Sequence, residues 1–235
     1  MVYNWINNIH TLFIPNTCQL CSQQTGTTQN LCPPCISELP YNKSSCIRCG
    51  AAMAEQKQLI CGQCLQRPPQ FDSALVPFHY TPPFNAFIPA LKFQHKLNYG
   101  RLMSSLFIAE FQRLKRKPEL KPQCIIPVPL HPKRLRERGF NQSLEISRNI
   151  AKQLDIPLDL TSVKRIKNTH AQSDLNKSKR KSNMRNAFEV VQPISYRHVA
   201  LFDDVMTTGH TFNELSRVLK QSGVTTIEIW AIARA

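Results

Sequence analysis

The pattern of hydrophobic and polar positions predicts alternating strands and helices over most of the chain after residue 70. Short apolar runs that fit buried strands lie at residues 74–80, 124–128, 199–202 and 226–232. Helical spacing of apolar residues fills the intervals, over roughly 85–116, over a stretch that ends before Pro157, and from the third strand to Gly223. Strands that alternate with helices predict an α/β domain with a parallel, doubly wound sheet.

The first 70 residues follow a different pattern. Near the N-terminus, apolar residues recur at helical spacing, at Val2, Trp5, Ile6, Ile9 and Phe13. A helix on a membrane surface would carry Lys or Arg on its polar face, and this one carries neither, so packing against the protein is favoured. The run Arg67-Pro68-Pro69-Gln70 is typical of a boundary between modules. The sequence therefore predicts an N-terminal helix and small module over 1–70 and an α/β domain over 71–235.

Eight of the nine cysteines lie in the first 64 residues as four C-x-x-C pairs. The pairs are Cys18/Cys21, Cys32/Cys35, Cys46/Cys49 and Cys61/Cys64. Two residues between cysteines let a tight turn direct both thiolates at one ion, and two such turns complete a tetrahedral site for Zn²⁺. Two structural zinc ions would use all eight thiolates, and the spacing leaves open which pairs share an ion. A redox-active C-x-x-C is the alternative, but four regular pairs favour zinc.

Composition and charge exclude several classes of protein. With 42% hydrophobic residues among 235, the chain can bury a core and is not a disordered polybasic tail. No apolar run approaches the ~20 residues that cross a bilayer, and the N-terminus lacks the basic segment of a secretory signal, so a cytoplasmic location is expected. The net charge is +15, of which the first 70 residues contribute +2 and the remainder +13. This surplus favours a polyanionic partner.

The most informative segment runs from Val199 to Thr211, where a hydrophobic strand leads into two adjacent acids and a threonine-rich turn that opens a helix. Candidate ligand-binding residues in it are Asp203, Asp204, Thr207, Thr208, Gly209 and Thr211. Backbone N–H groups at a helix N-terminus favour a phosphate, and adjacent carboxylates can accept hydrogen bonds from a ribose diol. Together they predict a site for a ribose 5-phosphate. The alternative is an N-capped turn with a solvated acid pair, in which Thr211 and Glu214 form a capping box.

This segment resembles the phosphoribosyltransferase signature Asp-Asp-x-x-Thr-Thr-Gly-x-Thr, which binds phosphoribosyl pyrophosphate (PRPP). The eight-cysteine module, the run Ile126-Pro127-Val128-Pro129-Leu130 and the run Arg138-Gly139-Phe140-Asn141-Gln142 are similar to the ComF competence-protein family. The resemblance implies a type I phosphoribosyltransferase fold joined to a small N-terminal zinc-ribbon module of four C-x-x-C pairs. It also implies a role in natural transformation and DNA uptake.

The same resemblance places pyrophosphate and Mg²⁺ in the loop after the 125–128 strand, beside Arg134 and Arg138. Segment 161–187 would be the basic loop that closes over the site. Other competence proteins, such as a helicase or a recombination mediator, are the implied protein partners.

The surplus positive charge and a run of aromatic residues between Phe71 and Phe111 are compatible with binding of single-stranded DNA, although packing is favoured for each individual ring. The candidate DNA-binding residues are Lys177, Lys179, Arg180, Lys181, Arg185, Arg116 and Lys117. No motif that would recognise an acceptor base is visible. Two functions therefore stay open, namely a protein that binds single-stranded DNA and carries a PRPP site, and an active phosphoribosyltransferase with an unidentified acceptor.

Overall fold

A computed structural model describes residues 17–25, 30–54, 59–168 and 185–235. The chain divides into two compact units, of which the first ends at Pro40 and the second extends from Tyr41 to Ala235. The predicted helix over Val2 to Phe13 lies outside the described residues. No helix among the residues that are described is long and apolar enough to cross a membrane.

The described part of the first unit contains one short helix, α1 (Pro33–Ser37). In the second unit the helices are α2 (Gly62–Gln66), α3 (Phe84–Gln94), α4 (Leu97–Arg113), α5 (Pro132–Arg138), α6 (Gln142–Leu154) and α7 (His210–Gln221). Its strands are β1 (Ser73–Leu75), β2 (Phe78–His79), β3 (Cys124–Pro127), β4 (Val163–Arg165), β5 (Phe188–Val190), β6 (His198–Met206) and β7 (Thr226–Arg234).

Five strands form one parallel sheet in the order β1-β7-β6-β3, with β2 also paired to β7. This arrangement confirms the predicted parallel α/β sheet. Strands β6 and β7 are central and read as nearly continuous apolar runs, as expected for strands that are covered on both faces. Strands β4 and β5 form a separate antiparallel pair.

Alternation along the central strands sends side chains to two apolar layers. On one face Leu201 and Ile229 pack in a cluster with Phe212 and Leu215 of α7. On the other face Phe107 of α4 lies edge-on to Phe202 and tilted against Trp230, with ring centroids 5.9 and 5.4 Å apart. Both faces are therefore covered by helices, and the carboxyl ends of the strands are left as the open edge.

Two elements differ from the expectation in ways that affect the site. The helix predicted over 85–116 is two helices, because His95 adopts a left-handed conformation (φ 56°) that ends α3 and reverses the chain direction into α4. Strand β6 does not end at the acid pair but continues through it to Met206. The acids are thus held by sheet hydrogen bonds rather than by a loop.

Candidate functional site

The candidate site lies where β3 and β6, which are neighbours in the sheet, reach their carboxyl ends. Strand β6 carries Asp203 and Asp204 and leads into the loop of Thr207 and Thr208. Gly209 caps α7 with φ 74°, a left-handed conformation that glycine adopts without strain. We call residues Thr207 to Thr211 the phosphate loop.

A cavity of about 190 Å³ opens at this edge. It is lined by Lys92, Val128, Leu130, Arg134, Arg138, Gln142, Arg165, Asp203, Asp204, Val205, Thr207 and Thr211. Six of the residues that the sequence singled out for PRPP are thus brought together, from α5, β6 and the phosphate loop. Lys92 and Gln142 were not assigned to the site from the sequence, whereas Arg165 belongs to segment 161–187, the basic loop predicted to close over it.

Asp204 is buried and held by two partners. Its Oδ2 lies 2.5 Å from Nζ of Lys92 on α3, and its Oδ1 accepts a hydrogen bond of 3.1 Å from the amide of Gln142. Burial would raise the pKa of Asp204, but the attraction of the Lys92 ammonium and the hydrogen bonds to the carboxylate together keep the pKa below its usual value. Asp204 is therefore an ionised anchor whose two oxygens are both engaged.

Asp203 has a different environment. Its Oδ1 accepts hydrogen bonds from the Ser143 hydroxyl at 2.5 Å and from the Asp204 backbone N–H at 2.9 Å. Burial, followed by repulsion from Asp204, raises the pKa of Asp203 to about 7. Since Asp203 is only partly buried and Asp204 is already anchored, Asp203 is the better placed of the two carboxylates to accept hydrogen bonds from a ligand.

Four cations face these two carboxylates. Arg138 donates to the Gln142 side-chain oxygen at 2.5 Å and stacks on the Phe93 ring at 5.4 Å, so one hydrogen-bonded chain runs from Arg138 through Gln142 to Asp204. Burial and the neighbouring Arg134 lower the pKa of Arg165 to about 10, and Arg165 still carries its charge at neutral pH. With Lys92 included, the cavity has a surplus of two positive charges, which favours an anionic ligand.

The capping box predicted for α7 is wrong. Gly209 is the N-cap and no side chain caps the helix. Glu214 instead accepts hydrogen bonds from the backbone N–H of Asn186 at 2.8 Å and from the Arg217 guanidinium at 2.7 Å. Thr211 does not cap the helix and lines the cavity.

The eight N-terminal cysteines form two clusters. Cys18, Cys21, Cys32 and Cys35 form the first cluster, and Cys46, Cys49, Cys61 and Cys64 form the second, with all sulfurs in each within 4.8 Å of one another. A tetrahedral site with Zn–S bonds of about 2.3 Å has S···S edges of about 3.8 Å. The S···S distances of 3.6 Å for Cys21 and Cys32 and 3.7 Å for Cys49 and Cys61 fit that geometry. The two four-cysteine clusters fit structural Zn²⁺, and the pairs that the spacing left open combine in chain order.

The second cluster is built into the α/β unit. The backbone N–H of Ala74 in β1 donates to the Ile47 carbonyl at 2.9 Å, and the Asn42 amide donates to the carbonyls of Gly50 and Val76. Gly50 has φ 64°, and a Cβ on it would lie 2.8 Å from the Val76 side chain. The turn after Cys49 therefore requires glycine both for its conformation and for its close approach to the sheet edge.

Burial would raise the pKa of Cys46, but N–H donors of the second cluster, chiefly that of Cys61 at 3.3 Å, lower it to about 7. The cluster thus favours the thiolate form that a metal requires. Cys124 is fully buried in β3, and burial raises its pKa to about 12, so its thiol stays protonated.

The residues predicted to contact DNA differ in their surroundings, and some of them lie outside the described residues. Lys177, Lys179, Arg180 and Lys181 lie outside the described residues. Lys117 and Arg185 are exposed. Arg116 forms an ion pair of 2.6 Å with buried Glu228 and stacks on Phe111, so its charge is matched within the unit. The aromatic rings at Phe78, Phe84, Phe87 and Phe107 are buried, whereas Phe93 is 69% exposed and contacts Arg138.

The fold and the two kinds of site define a class of protein, one in which four-cysteine zinc sites accompany a parallel α/β unit with a positively charged cavity. Residues 9–65 match the family model of a double zinc ribbon domain. The chain is 38% identical over 212 residues to "Competence protein F" of Haemophilus influenzae, covering 87% of this chain and 90% of that protein. It is 32% identical over 225 residues to "DNA utilization protein YhgH" of Escherichia coli K12, covering 95% and 99%. The chain belongs to this family of competence and DNA utilization proteins.

One solved structure with a similar fold is a purine phosphoribosyltransferase from Pyrococcus horikoshii Ot3. The TM-score is 0.33 and the sequence identity 18%, over 58% of this chain and 82% of that one. The fold described above rests on the sheet order and not on this likeness.

Proposed function

We propose that this protein is a cytoplasmic DNA-handling protein of natural transformation that binds single-stranded DNA and carries a PRPP site. The observation that carries the PRPP site is the cavity in which four cations meet an acid pair beside the phosphate loop. A ligand with phosphates on both sides of a ribose diol matches this distribution of charge.

Each part of PRPP has a candidate partner. Asp203 accepts hydrogen bonds from the ribose diol. The backbone N–H of Asp204 keeps the Asp203 carboxylate in place, and Lys92 in turn holds the Asp204 carboxylate. The 5-phosphate binds the N-terminal end of α7 with Thr207, Thr208, Gly209 and Thr211, because backbone N–H groups at a helix N-terminus and the helix dipole favour an anion. Arg134 and Arg138 neutralise the pyrophosphate, with Arg165 opposite them. Mg²⁺ enters with the pyrophosphate, since Mg²⁺ in phosphate sites keeps mainly phosphate and water ligands.

The DNA-binding part of the proposal is supported by charge and by the family. All 30 Lys and Arg residues of the chain follow Pro40, so the α/β unit carries the whole basic surplus. PRPP neutralises only a few cations, and the remaining charge suits an extended phosphate backbone. The relatives' names, competence protein and DNA utilization protein, agree with such a partner. A helicase or a recombination mediator would then receive the strand.

A second candidate function is transfer of the phosphoribosyl group to an acceptor. The anchored acid pair favours it, because a ribose held by Asp203 beside cations at the pyrophosphate is the arrangement that departure of pyrophosphate needs. Release of pyrophosphate from PRPP in the presence of any nucleobase would support transfer. Binding of PRPP without release would leave only the binding function.

A matrix of two ligands and two variants tests the proposal. PRPP binding is measured by calorimetry, and binding of a labelled oligonucleotide is measured at increasing salt. Asp203→Asn with Asp204→Asn should abolish PRPP binding and leave DNA affinity largely intact, while neutralising Lys179, Arg180 and Lys181 should do the reverse. Glu119→Gln and Lys152→Gln, both at exposed positions, are the matched controls for loss of charge. Failure of the wild type to bind the oligonucleotide at low salt would refute the DNA function, and failure to bind PRPP would refute the ligand site.

A further inference from the structure

The phosphate loop also borders a second cavity, which the acid pair does not line. This cavity, of about 300 Å³, is lined by Cys49, Gln63, Cys64, Arg67, Pro68, Pro69, Phe71, Met206, Thr208, Gly209, His210, Asn213 and Arg234. Two ligands of the second cluster and three residues of the phosphate loop thus share one cavity. The backbone N–H of Gln70 also donates to the Asn213 side chain of α7 at 2.8 Å, which ties the chain after the cluster to the same helix.

Arg234 lines this cavity together with residues of both. It is the last residue of β7 and pairs in register with Met206, the last residue of β6. Its Nη1 donates to the Met206 carbonyl at 3.0 Å and also to the carbonyls of Thr207 and Ala235. One guanidinium nitrogen therefore holds the backbone at the point where β6 becomes the phosphate loop.

Arg234 lines the cavity together with Cys49 and Cys64. The Nε of Arg234 is buried and has no hydrogen-bond partner among the residues that the structure describes. Burial lowers the pKa of Arg234, and the thiolates of Cys49, Cys61 and Cys64 oppose that shift by attraction. A zinc ion with four thiolates carries two net negative charges, so the occupied cluster attracts a guanidinium at this place.

From this geometry we propose that Arg234 is a positioning residue that couples the metal of the second cluster to the phosphate loop. With zinc bound, the tetrathiolate holds the guanidinium, and the guanidinium holds the Met206 and Thr207 carbonyls so that the following N–H groups point at the 5-phosphate. The inference rests on the proposed PRPP site and adds to it a regulation by metal occupancy. The coupling is reciprocal, because a ligand that orders the loop must also favour the metal-bound cluster.

Reciprocity gives a test that leaves Arg234 unchanged. Zinc release from the full-length protein to a chromogenic chelator is followed with and without saturating ribose 5-phosphate. We expect the ligand to slow release from the second cluster about 5- to 10-fold, the phase being assigned by its absence in Cys46→Ser. An unchanged rate, with ribose 5-phosphate binding confirmed by calorimetry, would overturn the coupling.

Substitutions at Arg234 then separate its two contacts. Arg234→Gln removes the charge and should raise the Kd for ribose 5-phosphate and speed zinc release, each about 10-fold. Arg234→Lys keeps the charge but not the planar fork, so zinc retention should be restored while ligand affinity stays low. A merely structural role would not separate these two readouts. Arg67→Gln removes a positive charge from the same cavity and is the matched control.

The outcomes distinguish the two proposals. If the wild type binds neither ribose 5-phosphate nor PRPP, the proposed ligand site is wrong and the coupling fails with it. If the wild type and Arg234→Gln bind equally well, the ligand site stands and the coupling alone is refuted.

Discussion

The two cysteine clusters have the same donor atoms and nearly the same geometry, yet they belong to different surroundings. The first lies in the unit that ends at Pro40, where Glu38 is the single charged residue. The second lies in the unit that contains the sheet, the cavity and all the basic residues, and it contacts β1 and the phosphate loop side of β6. The difference teaches that a zinc motif identifies its ligands but not its role. We expect the first cluster to stabilise its own unit and the second also to support the proposed ligand site.

The largest expected effect comes from removing one cysteine ligand from each cluster in turn. Cys46→Ser should lower the stability of the α/β unit by about 4 kcal/mol, because loss of a structural metal is among the costliest single changes, and this corresponds to a fall in Tm of roughly 10 °C. Cys18→Ser should leave the main unfolding transition unchanged. Differential scanning calorimetry with zinc analysis measures both.

Cys124→Ala is the control for this pair, since it removes a buried cysteine that belongs to neither cluster. It should retain two zinc ions per chain. Equal losses of Tm in Cys46→Ser and Cys18→Ser would contradict the separate roles.

A second substitution removes Lys92, which lines the cavity together with the acid pair. Lys92→Met leaves buried Asp204 without its cation and should cost about 3–5 kcal/mol of unfolding free energy, with loss of PRPP binding. The second cluster should keep its zinc. Loss of zinc from Lys92→Met would mean that any destabilisation of the unit releases the metal, so that the link between metal and ligand is not specific. Chemical denaturation, calorimetric titration and zinc analysis are the measurements.

Lys96→Met, an exposed change at the start of the next helix, is the matched control for Lys92→Met. A Lys92→Met protein that binds PRPP like the wild type would remove Asp204 and its anchor from the proposed site.

These residues also show how far the sequence predicts the molecule. The zinc ligands and the acid pair were predictable because their chemistry depends on local spacing within a few residues. The parallel sheet was predictable because its strands alternate with helices. Lys92 was not assigned a role, since a lysine between Leu91 and Phe93 is equally compatible with an exposed helix face, and its partner lies far along the chain. A lysine inside an apolar helical run was the one available signal.

Neither the combination of the cysteine pairs nor the proposed role of Arg234 could be predicted, because both depend on contacts between distant parts of the chain. The gaps between successive pairs are nearly equal, so spacing does not say which pairs meet. Arg234 acquires its role from the register of β7 with β6, which places it beside Met206. The break at His95 was missed because the helical pattern of apolar residues continues through it. Long-range packing determines all three, and a local pattern does not record it.

The acid pair gives a smaller effect that belongs to the α/β unit alone. Because the pKa of Asp203 is raised to about 7, the native state holds a proton that the unfolded chain releases at about pH 4. The free energy of unfolding should therefore fall as pH rises towards 7. Above pH 7, Asp203 should contribute no further pH dependence. Asp203→Asn should remove this pH dependence, which we expect to change the Tm of the wild type by a few degrees between pH 6 and 8.

Both proteins in this experiment carry the same cysteine clusters, so the pH dependence of zinc binding cancels in the difference between them. Identical slopes of Tm against pH would show that Asp203 titrates at its ordinary value. In the wild type, affinity for ribose 5-phosphate should rise with pH through the same range, since ionised Asp203 is the better acceptor for the diol.

The smallest expected effect extends the comparison to DNA. Lys117→Gln and Arg185→Gln each remove one exposed cation from the α/β unit, and each should reduce the slope of log affinity against log salt by about 0.7 for a single-stranded oligonucleotide. Cys18→Ser should leave that slope unchanged, because the first unit contains no Lys or Arg. Fluorescence anisotropy at a series of salt concentrations measures the slopes. A reduced slope in Cys18→Ser would mean that DNA binding requires the first cluster, and a unit without Lys or Arg would then act on DNA through its structure rather than through positive charge.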